Sequence, residues 1–365
     1  MLIFFLAFFL VFFYFAEVFK HLTMVKIAST LIGVFVFYLM LYNVTDNSDW
    51  EVYESMYYGG SDSSDFLFNF LSRWFSMNGY EYSSLYKLHI LLMGIGFLYF
   101  ASRFSYSAIF SVISIYLLFE LIPLSNQIRY YVAFAFFLIS VYNFVVTKNY
   151  IVFGVFAILS AMSHSGILLM YPFIYFYYKI ESTNYSKRLI FYSLFAGVFL
   201  YILKSTNIVF LNNLDSYLDK DNISSIFGGI YNVLIWTFWL LFIYFKNKKL
   251  IKSSSEIIKS DIKYQFLYKL SFYSVLFIPI GLFVQIFVHR YILASLVIWV
   301  SFIFYSLKYE ESLLKRIRSI SIFLSLVIVS FLYIYILPTY LFGTSGMELP
   351  LVLFMSNSTL FFLFL

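Results

Sequence analysis

Asn126-Gln127-Ile128-Arg129-Tyr130-Tyr131 opens an apolar run that lasts to Val146 and is closed by Lys148-Asn149. A second run starts at Tyr150 and is broken by Ser163-His164-Ser165-Gly166, after which a third, from Ile167, reaches Tyr178 and Lys179. Ionisable groups inside or bordering a bilayer segment are costly to keep, so an arginine and a histidine in these positions are functional candidates. Whether the stretch crosses a membrane, and how often, decides the fold.

The composition around it answers the first half. Hydrophobic residues make up 62% of the 365 positions and charged residues only 12%. A water-facing shell needs far more charge, so the chain is predicted to be an all-α polytopic integral membrane protein. There is no Cys, which excludes thiol catalysis, disulfides and Cys-ligated metal. The four His (His21, His89, His164, His289) include no pair at ligand spacing, so neither a metal nor a cofactor is expected. The net charge of +6 bears on topology and not on nucleic acid, which is not expected as a partner.

Apolar runs fall at residues 1–16, 27–42, 88–101, 108–122, 130–146, 150–162, 167–178, 189–203, 230–245, 270–288, 291–307, 320–337 and 351–365. The first lacks a basic start and a small-x-small cleavage site, and reads as a retained helix. If 150–178 crosses twice, turning at His164, 18 of the 24 Lys and Arg share one side. The other side keeps six: Arg73, Lys87, Arg129, Lys204, Lys220 and Arg290. A single crossing would split the basic loops, so the positive-inside rule favours two, although each half is short for a bilayer. The result is a single transmembrane domain over 1–365 with about 11–13 helices. It has an outer loop at 43–87 and a basic cytoplasmic loop at 246–269. The outer loop carries Asp46, Asp49, Glu51, Glu54, Asp62, Asp65 and Glu81, with aromatic pieces suited to short interfacial helices.

Arg129, His164, His289 and Arg290 then share the outer face, where a positive-inside bias does not place arginines. Two guanidiniums near the headgroup level suit a lipid-linked diphosphate, because Arg binds phosphate oxygens bidentately and stays charged. His164 is titratable near neutral pH and is a candidate general base for a hydroxyl nucleophile. The arginines would also stabilise charge on a departing diphosphate. The bland alternatives are definite. Arg129 and Arg290 would be interfacial anchors with apolar stems in lipid. His164 would hydrogen-bond a carbonyl at the helix break, His289 would be an interface residue, and the acidic residues a solvated loop face.

Asp46-Asn47-Ser48-Asp49-Trp50-Glu51-Val52-Tyr53 is followed by Ser64-Asp65-Phe66-Leu67-Phe68. Then come Arg129-Tyr130-Tyr131-Val132-Ala133, Met162-Ser163-His164-Ser165-Gly166-Ile167 and the late Arg290-Tyr291. In this order the segments resemble the EpsG-like, Wzy-type polysaccharide polymerases of bacterial inner membranes. Asp65 stands where that family is expected to favour Glu. The resemblance implies an architecture similar to the GT-C-like membrane glycosyltransferases, which include O-antigen ligases. It also implies an inverting, metal-independent polymerase of undecaprenyl-diphosphate oligosaccharides, with its site facing the periplasm or outside. By the same resemblance Arg129 and Arg290 bind diphosphate and His164 is the candidate base. Gln127, Tyr130, Asp46, Asp49 and Tyr53 line the substrate, Asp46 or Asp49 being alternative bases. A chain-length regulator and a flippase are candidate partners beside membrane lipid, with the 246–269 segment a docking place for the regulator.

Three other functions share these features. An exporter of lipid-linked sugars needs charged groups at mid-membrane and often internal repeats; only Glu120 lies near a span interior, and no repeat is evident. A ligase or acyltransferase shares the donor or the histidine. A scaffold of the assembly machinery would tolerate loss of Arg129 and His164.

Overall fold

The computed structural model describes residues 23–337 apart from 43, 45–48, 60–64, 120, 206–225, 254 and 285–286. The first and last apolar runs, Asp46, Glu120 and the polar segment around Asn212 lie outside the described residues. Every element among the described residues is helical. Five are long and apolar enough to cross a membrane: Tyr82–Ser102, Ile128–Thr147, Phe227–Lys252, Arg290–Tyr309 and Leu313–Ile334. Ile27–Leu41, Tyr106–Tyr116 and Tyr150–Ser163 are shorter apolar helices. This is an all-α, multi-pass membrane protein.

The chain read as one transmembrane domain separates into two compact units. One comprises the described residues up to Tyr171 with those from Val327, and the other Pro172–Leu326. The divide falls where Tyr171 lays its ring on Phe137, in the first unit, while Phe173 packs on Phe266 and Tyr273 in the second.

In the first unit α1 (Thr23–Leu41) packs on α4 (Tyr82–Ser102) and α5 (Tyr106–Phe119). Between α1 and α4 come α2 (Trp50–Gly59) and α3 (Phe66–Met77), so the segment expected as an outer loop is largely helical. After the short α6 (Leu121–Asn126), α7 (Ile128–Tyr142) lies between α4 and α8 (Tyr150–Ser163). Every residue of α7 except Arg129 is buried, as befits a helix that is apolar all round. Close approach supplies the packing that water would drive in a soluble protein. A Cβ on Gly96 of α4 would stand 2.6 Å from the Ala135 Cβ of α7, so glycine is required there. The helix ends in a π-turn, Asn143–Thr147, and Lys148 turns the chain in the left-handed region at φ 59°. Asn149 then accepts the Val152 N–H through its side chain and starts α8.

The second unit contains α9 (Pro172–Lys179), α10 (Tyr185–Ser205) and α11 (Ile226–Ser253). α12 (Ser255–Ser260), α13 (Ile262–Tyr273), α14 (Ile278–Gly281) and α15 (Leu296–Ser306) follow, then the start of α16 (Leu313–Phe331). α15 is buried on nearly every side and packs on α13, where the Trp299 indole N–H donates to the Ser271 carbonyl at 3.0 Å. The expected basic loop at 246–269 is instead mostly helix. α11 runs on through Lys246, Lys248, Lys249 and Lys252, residues that favour helix. Lys246 is buried, with Nζ 2.9 Å from Glu310 Oε1 and 3.0 Å from Ser319 Oγ, and Ser319 Oγ donates to the same Glu310 oxygen at 2.8 Å. Asp261 starts α13 by accepting the Tyr264 N–H at 3.0 Å, and also accepts from Lys308, Tyr305 and Tyr309.

Candidate functional site

The first unit presents its chemistry at one end of α7. Trp50 sets its ring edge-on against Tyr82 and Tyr86, at 4.8 and 4.9 Å between centroids, which docks α2 on α4. The Tyr57 hydroxyl donates to the Tyr80 carbonyl at 2.5 Å, and Tyr53 meets Phe68 of α3 at 5.6 Å. The two short helices therefore form a lid of packed aromatic side chains, with Tyr53, Tyr57 and Phe68 buried.

Beneath them sits Arg129, in the first turn of α7. Its guanidinium lies over the Tyr53 ring at 4.7 Å and the Phe68 ring at 5.3 Å, and Nη1 is 2.8 Å from Asp65 Oδ2. The reading of Arg129 as an anchor snorkelling to the headgroups is thereby replaced, because protein groups enclose its charge. Asp65, just ahead of α3, is 3% exposed, so this member of the acidic cluster is not on a solvated face. A carboxylate and two ring faces offset the cost of burying a guanidinium. They do not satisfy it. Arg129 Nε and Nη1 are buried and make no hydrogen bond, the contact with Asp65 being close enough for an ion pair but not directed as a donor.

His164 stands at the same end, past the last turn of α8. Ser160 Oγ donates to the Ala133 carbonyl at 2.8 Å and pins that turn to α7. The His164 backbone is extended, at φ −163° and ψ 119°, which ends the helix before the 3-10 turn Ser165–Met170. Its ring meets the Tyr130 ring edge-on at 5.4 Å. The Gly166 N–H donates to His164 Nδ1 at 3.0 Å. The bond at Nδ1 is thus to an amide N–H. A nitrogen accepting that bond carries no proton, so the neutral ring has its proton on Nε2.

Tyr53, Arg129, Tyr130 and His164 are thus assembled by α2, α7 and α8. Gln127 immediately precedes α7, half-buried, its carbonyl accepting the Tyr131 N–H at 3.0 Å. Asp49 precedes α2 and its carbonyl accepts the Tyr53 N–H at 3.0 Å. Asp46 is outside the described residues. Arg290 belongs to the second unit, on the π-turn Val288–Ile292, beside Tyr291, which stacks on Phe277 at 4.5 Å. The side chain of His289 is also outside the described residues. Sequence reasoning gave Asp65 and Phe68 no place at this site. The usable signal is that an arginine on an otherwise apolar helix requires a counter-charge. Among the described residues no group of three His, Asp or Glu is arranged to hold a metal ion.

No curated protein and no solved structure matches the chain. The profile described as the EpsG family matches residues 26–347, a span that takes in most of α1, both short aromatic helices, the Arg129 and His164 elements and the Arg290 turn. The chain belongs to the EpsG family, and its role is that of a glycosyltransferase-like polysaccharide polymerase.

Proposed function

We propose that the protein joins oligosaccharide repeats carried on undecaprenyl diphosphate, by inverting glycosyl transfer at the outer face of the bacterial inner membrane. The observation that carries this reading is Arg129, whose Nε and Nη1 are buried and make no hydrogen bond. Buried donors that lack acceptors cost stability, and an anionic ligand removes that cost. A diphosphate supplies several such oxygens on one group. Gln127, Tyr130, Tyr53, Asp49 and Asp46 line the sugars in this reading.

In the reaction an acceptor hydroxyl attacks the anomeric carbon of the donor chain. The bond from that carbon to the diphosphate oxygen breaks, and its electron pair leaves with undecaprenyl diphosphate. The hydroxyl proton passes to a carboxylate, for which Asp46 and Asp49 are the candidates. Arg129 stabilises the charge that grows on the departing group. No metal is required in this scheme, since arginine performs the charge neutralisation. The exposed Lys248, Lys249, Lys252 and Lys259 suit a chain-length regulator as partner.

The test is polymer length in a null strain complemented with Arg129→Ala, His164→Ala or Arg290→Ala, with membrane levels measured in parallel. Normally accumulating variants that give only single repeat units support the reading, and Arg129→Ala is expected to cut polymer at least about 100-fold. Long polymer in all three refutes the site. Polymer made by the null strain but retained inside points to export, and polymer left unattached to its final acceptor points to ligation.

A further inference from the structure

We infer that α3 rests in the bilayer as a membrane-surface helix, its outward aromatic side seated among lipid headgroups and upper acyl chains, and that its depth there sets the depth of Arg129. The bilayer contact stands by itself. Its consequence for polymer output rests on the polymerase reading above.

α3 has 12 residues. At a rise of about 1.5 Å per residue it extends about 18 Å, against about 30 Å for the hydrocarbon core, so it does not cross. Its level in the membrane follows from its neighbours. Residues 78–81 alone separate it from the start of α4, and its Phe68 reaches the Arg129 guanidinium, in the first turn of α7, at 5.3 Å. α4 and α7 belong to helices long and apolar enough to cross a membrane. The ends of such helices lie at the membrane–water boundary, and α3 lies there with them.

The sides of α3 differ in chemistry, successive residues turning by about 100°. Phe68 and Ser72, one turn apart, are its buried residues. Phe66, Phe70, Trp74 and Met77 run along the opposite side, and each is at least half exposed. Asn69, Arg73 and Ser76 line one flank between the two. A helix washed by water carries polar residues opposite its buried side. Here that place is apolar and the polar stripe is displaced to the flank, which gives the helix one side for protein, one for lipid and one for water. α2 makes the contrast: Tyr53 and Tyr57 turn inward, and its exposed residues include Glu51 and Ser55. At the far end of α3 Trp74 stacks on Tyr80 at 6.4 Å and meets Phe75 at 5.2 Å, an aromatic group suited to the headgroup level. The bilayer around the crossing helices is the medium at this level, so it covers the apolar side without a recruited partner. The same helix holds Arg129, through Phe68 and through Asp65 at 2.8 Å, and any change in its depth moves both.

The chain has no cysteine, so a single introduced thiol is the only one present. Phe70→Cys, Trp74→Cys, Ser76→Cys and, as a buried reference, Ser72→Cys are spin-labelled in the full-length protein and reconstituted into phosphatidylethanolamine–phosphatidylglycerol vesicles. Labels at 70 and 74 are expected to collide with oxygen, which concentrates in acyl chains, in preference to a water-soluble nickel chelate. The label at 76 should show the reverse preference, the two ratios differing by about tenfold. Labels at 70 and 74 that behave like the one at 76 mean a side washed by water. Labels there shielded from both reagents, like the one at 72, mean cover by a partner protein or a second copy; either result overturns the inference.

The link to Arg129 is read in cells from Phe70→Ser/Trp74→Ser, with polymer scored per molecule accumulated in the membrane. A fall of about tenfold is expected from the loosened placement of the guanidinium. Unchanged polymer overturns the link. Long polymer from Arg129→Ala removes the polymerase reading and leaves the labelling result standing.

Discussion

The two units each pair a cation with a buried carboxylate, and they treat the pair differently. In the second unit Lys246 and Glu310 form a closed triangle with Ser319, in which one Glu310 oxygen receives both donors and Lys246 also bonds the serine. In the first unit Arg129 meets Asp65 and two aromatic faces but leaves Nε and Nη1 without hydrogen bonds. A closed cluster has nothing left to offer a ligand, and its effect is to tie α11 to the segments around α16. The open pair retains directed donors in a place where leaving them unmet is expensive. Burial of a charge alone therefore does not mark a binding site; unmet directionality does.

The largest expected effect comes from breaking the closed cluster. Glu310→Ala leaves the Lys246 ammonium buried without its counter-charge and is expected to cost about 3–5 kcal/mol, seen as a lower melting temperature and lower membrane levels. Polymer made per folded molecule should be unchanged. The double variant Lys246→Met/Glu310→Leu should recover most of that stability, since an apolar pair replaces a buried ion pair at little cost. Failure to recover would mean the cluster does more than join helices.

A second cluster gives a smaller effect with a pH signature. Burial alone would raise the Asp261 carboxyl, but hydrogen bonds from Lys308, Tyr309, the Tyr264 amide and Tyr305 hold it down at about 2. The folded value lies below the ordinary carboxylate range, so its contribution is present above that range and is lost as pH falls toward about 2. Asp261→Asn is expected to cost about 2 kcal/mol near neutral pH, and that difference from the parent should shrink in acid. A difference that does not change with pH would show that shape and not charge carries the stability. Glu310 behaves alike in sign: burial would raise its carboxyl, and Lys246 and Ser319 hold it down.

The smallest effect sharpens the open pair. Asp65→Asn keeps the shape of the partner but removes its charge, and should lower polymer output about tenfold, or ~1.4 kcal/mol, by loosening the placement of Arg129. Asp65→Glu should restore part of it. If Asp65→Asn abolishes polymer as completely as Arg129→Ala, Asp65 takes part in the chemistry itself.

How much of this is legible in the sequence follows from what a bilayer rewards. The apolar runs, the break at His164 and the aromatic helices within 43–87 are readable, because length, helix-breaking residues and spacing are local properties. Which helices are wrapped in protein is not. α15 is buried and α16 is mostly exposed, yet both are strongly apolar, since lipid and protein satisfy a Leu or Ile equally well. The same limit hides the pairing of Asp65: the resemblance marks its segment, but nothing in the sequence joins it to Arg129 until α3 is folded over α7. The tautomer of His164 depends on a backbone amide two residues away and leaves no trace in residue type. The 246–269 segment misleads because lysine reads as solvent-seeking, while Lys246 has a carboxylate waiting 64 positions later.

The encirclement of α7 bears on genetics. With every residue but Arg129 buried, a saturation scan of this protein will find intolerance along the whole helix, from Ile128 to Tyr142. Core positions will fail by reducing how much protein survives in the membrane. Arg129, and to a smaller degree its neighbour Tyr130, should fail while abundance holds, so abundance and polymer scored side by side would single out the first turn of the helix without any assumption about the chemistry.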